Sequence, residues 1–245
     1  MHSARRFTMK TIQPIAIRTI LGVVAGAGLF FGLGYGLKFA MGDRGPLAGQ
    51  WALKGSLIVV SLILWALTRR PWSQMGWQRA RRGGHKWLWY LIAAVAMGLA
   101  TIAMILTGHR HPIAAQLTFP QIIVTVWLLS SISEEIFVRG LVQSWIAAPL
   151  EPNQRTPRCV ICASAALFGG LHVPLIWKGG GAVGGSVIVA ATFVVGWAAA
   201  EIRARSGSLL HAIGVHIVGN AAALPFGIVG AIIYYVIHGH PPEMK

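Results

Sequence analysis

Residues 121–145 read QIIVTVWLLSSISEEIFVRGLVQSW. The stretch is long enough to cross a bilayer core, which takes about 20 largely apolar residues. Three ionisable residues, Glu134, Glu135 and Arg139, sit near its middle. Lipid offers no partner for a charge, so such a span must turn its polar face toward other protein. The stretch therefore predicts one helix of a membrane-embedded helical bundle.

The flanking chain agrees. Seven more apolar segments run over about Ile20–Phe39, Gly49–Leu67, Trp87–Leu106, Val160–Ile176, Gly185–Ala200, Leu209–Leu224 and Phe226–Ile237. Pro225 divides the last two, which are short and read either as half-spans or as two tilted helices around a cavity. Of the 245 residues, 55% are hydrophobic and 11% charged, whereas soluble domains carry about 25% charged residues. An ordinary soluble domain is excluded, and so is a disordered chain, which needs low hydrophobicity. Strands facing lipid would leave open edges. The predicted fold class is all-α, a polytopic membrane bundle of about eight transmembrane helices. Residues 1–119 hold the first three spans, and residues 120–245 form the remaining helical core of one membrane domain.

Charge supplies the orientation. There are 21 Lys and Arg against 6 Asp and Glu, a net +15. The richest basic stretch, Arg69 to Lys86, contains Arg70, Arg79, Arg81 and Arg82, interleaved with Trp72, Trp77, and followed by Trp87 and Trp89. Arginine with tryptophan can grip single-stranded nucleic acid. Between two apolar spans it reads instead as an interface loop on anionic lipid, so no nucleic-acid partner is expected. With the N-terminus cytoplasmic, fifteen basic residues fall inside and three (Arg44, Arg110 and Lys178) outside. Lys and Arg favour the cytoplasmic side, so eight spans put both termini there. The apolar stretch after the basic Met1–Lys10 is too long for a signal-peptide core and reads as a retained first span.

Three smaller patterns have plain readings. Gly22, Gly26, Gly28, Gly32 and Gly36 give overlapping G-x-x-x-G spacings, which suit packing within the monomer or a dimer face. Gly179, Gly180, Gly181, Gly184 and Gly185 predict a flexible outer loop, as a linker or a gate. Cys159 and Cys162 form a lone C-x-x-C. Without a second pair they read as small apolar residues at a helix start rather than as a redox or metal motif.

The chemistry centres on the quoted span. Adjacent helical residues point about 100° apart, so Glu134 and Glu135 should meet different surroundings. Arg139 lies four residues after Glu135 and pairs with it on one face. That leaves Glu134 without a local cation, a buried and unpaired carboxylate available as a general base. The alternative is a purely structural ion network. Phe168 and His172 are one helical turn apart, so the ring walls the imidazole. His216 and Asn220 share another helical face. His211 falls on a different face and reads as packing or interfacial.

Together, Glu134, His172, His216 and Asn220 make a hydrolytic set without a serine or cysteine nucleophile. A Glu–His pair deprotonates water, and His with Asn can donate to an oxyanion. Glu134, His172 and His216 would alternatively suit Zn²⁺, as a His₂Glu site. Asn is a poor zinc ligand and a good donor, so no cofactor is expected.

Glu134-Glu135-x-x-x-Arg139, Phe168-x-x-x-His172 and His216-x-x-x-Asn220, in this order, resemble the CPBP (CAAX protease and bacteriocin-processing, or Abi) family. The resemblance covers about Gln121 to Leu224. It implies a membrane endopeptidase of the type II CAAX prenyl endopeptidase kind, multi-pass in a bacterial cytoplasmic membrane. It implies that Glu134 and His172 activate water, that His216 and Asn220 form the oxyanion hole, and that Glu135, Arg139 and Phe168 support them. The expected partners are a membrane-associated protein or peptide substrate and the bilayer. A non-enzymatic role, as a proton-coupled transporter or a bacteriocin-immunity binding protein, is the alternative on the same residues.

Overall fold

A computed structural model describes residues 9–42, 46–80, 86–109, 116–148, 150, 156–177 and 181–242. Arg5, Arg6, Arg44, Arg81, Arg82, Arg110, Arg155, Lys178, Gly179, Gly180 and Lys245 lie outside the described residues. Among those described, the chain is helical and has no strand. The elements are α1 (Met9–Met41), α2 (Pro46–Leu67), a short α3 (Trp72–Met75), α4 (Lys86–Leu106), α5 (Phe119–Ile146), α6 (Arg158–Gly170), α7 (Gly181–Ser206) and α8 (Leu209–His238). All but α3 are long and apolar enough to cross a membrane, α6 doing so with the turn that extends it to Ile176. The protein is an all-α polytopic helical bundle.

Among the described residues seven helices are long and apolar enough to cross a membrane, where the sequence predicts about eight. Leu209 to His238 is one helix that runs straight through Pro225. A membrane helix tolerates proline where neighbouring helices hold it in place. Here Phe226, next to Pro225, seats its ring against Gly98 of α4, where even a Cβ would collide with it. Farther along the pair, Gly214 meets Tyr90, Gly219 meets Ala93 and Met97, and Gly230 meets Ile102 and Ile105. The contacts ascend together, so α8 runs parallel to α4.

The glycine run needs a second correction. The helix α7 already starts at Gly181, so Gly184 and Gly185 are helical rather than part of a flexible loop. Gly185 lies directly on the backbone of Ile176, too close for any side chain. The α6 helix stops at Gly170 because Pro174 cannot accept the next turn. A 3-10 turn, Val173–Ile176, carries the chain onward. His172 is thereby left at the mouth of the helix.

Two apolar clusters flank the polar residues. One joins Leu57 and Trp65 of α2, Phe137 and Val138 of α5, and Leu167 and Phe168 of α6. The other joins Ala93 of α4, Val195 and Ala198 of α7, and Val215 of α8. The α1 glycines divide between two faces. Gly22 and Gly26 lie against Ile146 and Leu167, while Gly28, Gly32 and Gly36 have no neighbour where a Cβ would be.

The basic loop is anchored over its first part. Leu209 donates its backbone N–H to Gly76 O at 3.0 Å. Arg203 Nη2 donates to Gln74 O at 2.8 Å, and Gln78 Nε2 to Gly207 O at 3.0 Å. Met75 is buried against Gly140, whereas Trp72 and Trp77 stay exposed. Cys159 and Cys162 are free, exposed thiols near the start of α6.

Candidate active site

The centre of α5 departs from regular geometry. Wide π-type turns at Ile123–Ser130 and Ile136–Gln143 flank one ordinary turn, Ser131–Glu135. Such turns inside an α-helix recur at functional sites, because they re-aim side chains that a regular helix would place elsewhere. Ser131, Ser133, Glu134 and Glu135 are all buried there.

The two carboxylates face different partners. Glu134 Oε1 accepts from Lys54 Nζ, an α2 side chain, and from Ser130 Oγ at 3.0 Å. Both bonds fall on Oε1. Oε2 points toward His216, 3.9 Å from its Nε2. Lys54, His172 and His216 are the ionisable groups that act on Glu134 across the site. The expectation that Glu134 lacks a cation therefore holds only for its own helix. A cation arrives from α2, 80 positions earlier in the chain.

Glu135 belongs to a separate chain of bonds. Arg139 Nη1 donates to its Oε1 at 3.0 Å, and both side chains are wholly buried. The second arm of the guanidinium donates to Gly196 O of α7 at 2.6 Å. Its carbon stands 4.5 Å from the Phe168 ring centre, a cation–π contact. Gly196 is a glycine because a Cβ there would lie 2.9 Å from Arg139 Nη2 and 3.0 Å from Phe168. Phe168 also meets the imidazoles of His172 and His216, with ring centres 5.1 and 5.0 Å away.

Hydrogen bonds decide where the imidazole protons sit. His172 Nδ1 lies 2.9 Å from Phe168 O. A carbonyl only accepts, so Nδ1 carries the hydrogen and a neutral His172 presents Nε2 as an acceptor. Such a nitrogen can take a proton from water. His216 Nδ1 lies 3.1 Å from Glu135 Oε1, and by the same logic it donates. Asn220 Nδ2 donates to Val126 O at 3.0 Å and to Ser131 Oγ at 3.1 Å. Both hydrogens of its amide are thus committed to α5.

Residues 114–222 match a family model described as type II CAAX prenyl endopeptidase Rce1-like. The CPBP resemblance is shown over that span. No curated protein and no solved structure matches the chain. The likeness to that family suggests a CAAX-type protease that acts on a membrane-associated peptide. Glu134, Glu135, Arg139, Phe168, His172, His216 and Asn220 all fall inside the Rce1-like span. Lys54 falls outside it, in the second of the first three spans.

Two participants were missed in the sequence. Lys54 was overlooked although a lysine inside an apolar span was signal enough. Gly196 had no signal, since nothing local marks which glycine faces a guanidinium. His211 does lie apart, beside Tyr90 Oη at 3.1 Å and Lys86 Nζ at 3.3 Å. As arranged, the zinc set does not fit. Among the described residues no three His, Cys, Asp or Glu side chains are grouped to share an ion. Lys54 and Ser130 both hold Glu134 Oε1, and Oε2 lies 3.9 Å from His216 Nε2. No step below is routed through a metal.

Proposed function

We propose that the chain is a glutamate-dependent intramembrane endopeptidase. The observation that carries this reading is the convergence on Glu134 of Lys54 from α2, Ser130 from its own helix, His216 from α8 and His172 from the turn after α6. Glu134, helped by His172 Nε2, takes a proton from a water molecule. The resulting hydroxide adds to the scissile carbonyl carbon. His216 stabilises the oxyanion as an imidazolium whose counter-charge is Glu135, with Nε2–H as the donor. Asn220 joins it once substrate draws its amide from Val126 O. Collapse breaks the C–N bond, and the proton held by Glu134 passes to the leaving amine.

The substrate class proposed is a prenylated or otherwise membrane-anchored C-terminal peptide, cut in a bacterial cytoplasmic membrane. The exposed Trp72, Trp77, Arg69 and Arg79 seat the inner end of the bundle in anionic headgroups.

The test uses the full chain in detergent with a farnesylated CAAX peptide, and mass spectrometry of membranes from cells carrying the wild type or Glu134→Gln. A shortened product with the wild type alone supports the reading. Equal products with Glu134→Gln overturn it. Cleavage in detergent also excludes a transporter, which needs a sealed membrane and a gradient.

A further inference from the structure

Lys54 lies outside everything the family similarity covers, yet it touches the carboxylate at the centre of the site. It is buried at 6% exposure, and Glu134 at 4%. A lysine in a membrane helix ordinarily extends its ammonium to the interface. Here α2 directs it inward, eight residues from the start of the helix, onto Glu134 Oε1.

The charges of the cluster explain why. Glu134 and Glu135 contribute two negative charges, and Arg139 and Lys54 two positive ones. All four groups are buried. Arg139 is spent on Glu135 and Gly196 O, with its ring face on Phe168. Lys54 is the permanent cation that touches Glu134, whereas His216 carries a charge only when its imidazole is protonated. The groups that face the pair from the surrounding helices are Ser130 of α5, His172 beyond α6 and His216 of α8, none of them a fixed cation. In low dielectric, an uncompensated carboxylate takes up a proton rather than stay charged, and a protonated carboxyl cannot accept one from water.

We propose that Lys54 is a positioning residue of the active site: it balances the charge of Glu134, so that the carboxylate is maintained, and ties Oε1, so that Oε2 faces the reacting water. This role rests on the protease reading, but its first test does not depend on cleavage. Infrared spectra of the full chain in detergent at neutral pH report the C=O stretch of a protonated carboxylic acid. In Lys54→Met, and in Lys54→Gln, which keeps a donor without a charge, this band is expected to appear. It should be absent in the wild type and in Lys54→Arg, and it should vanish from the double variant Lys54→Met with Glu134→Gln. A Lys54→Met or Lys54→Gln spectrum identical to the wild type overturns the proposal.

The second measurement is kinetic, with the farnesylated CAAX peptide. A lost general base is worth at least about a hundredfold, so Lys54→Met should lower kcat by about that factor with KM unchanged, and Lys54→Arg should restore most of it. A change confined to KM overturns the positioning role. The two readings fail separately. Cleavage by Glu134→Gln sinks the glutamate-dependent mechanism and leaves the infrared result standing, whereas an unchanged spectrum sinks Lys54 while cleavage still depends on Glu134.

Discussion

His216 and Glu135 are joined through Nδ1 and Oε1 at 3.1 Å, between two buried side chains on α8 and α5. The bond determines what His216 can do. With its hydrogen on Nδ1, a neutral imidazole has only an acceptor at Nε2, so it donates to an oxyanion only when protonated on both nitrogens. Glu135 supplies the counter-charge for that state. Glu135→Gln keeps the shape and removes the charge. Steady-state kinetics should show kcat down by about 10²-fold or more, as for loss of an oxyanion donor, with KM little changed. Unchanged kcat would show that His216 serves without its partner.

Arg139 is predicted to matter first for stability. Removing one member of a buried ion pair costs about 3–5 kcal/mol, since the other charge is left alone. Arg139→Leu should lower Tm in detergent by that measure and reduce expression. Replacing Glu135 with leucine as well should recover most of the Tm but none of the activity. A single variant with wild-type Tm would mean that Glu135 finds another cation.

Asn220 should give a mixed result. Asn220→Ala strips hydrogen bonds from Val126 O and Ser131 Oγ, and a buried group left unsatisfied costs about 1–3 kcal/mol. The same change removes the proposed second oxyanion donor. Both Tm and kcat are expected to fall. A loss of Tm with kcat unchanged would confine Asn220 to holding α8 against α5.

The zinc alternative has a direct check. Chelation of the purified chain should leave cleavage of the farnesylated peptide at its starting rate, and elemental analysis should find no stoichiometric metal. Loss of activity in chelator, restored by zinc, would reverse this and require Glu134 to leave Lys54.

How much of this was legible in the sequence depends on the range of the interaction. Glu135 and Arg139 are four residues apart on one helix, so helical spacing was enough to pair them. The divergence of Glu134 from Glu135 follows from the same geometry. The order of the three motifs carried the family resemblance. Lys54 on Glu134 is a contact between distant spans, and no periodicity joins positions that far apart. The wide turns of α5 were equally hidden, because residues 123–130 have the composition of any apolar helix. Proline breaks helices in water, but the packing of Phe226 on Gly98 of a neighbouring membrane helix holds this one continuous through Pro225.

That continuity leads to a topological prediction. Because the contacts of α8 ascend along α4 from Tyr90 to Ile105, the two helices leave the membrane on the same side. The loop that precedes α4 and the segment that follows α8 must then lie on opposite faces. The basic loop marks its own face as cytoplasmic. In a background with Cys159 and Cys162 replaced, single cysteines introduced as Gln78→Cys and Pro242→Cys report each face. A membrane-impermeant thiol reagent added to intact cells should label the Pro242→Cys protein and spare the Gln78→Cys protein until the membrane is permeabilised. The opposite pattern would keep α8 as one crossing and invert the bundle. Protection of both in intact cells would restore eight crossings, and α8 would then have to break at Pro225 in the bilayer.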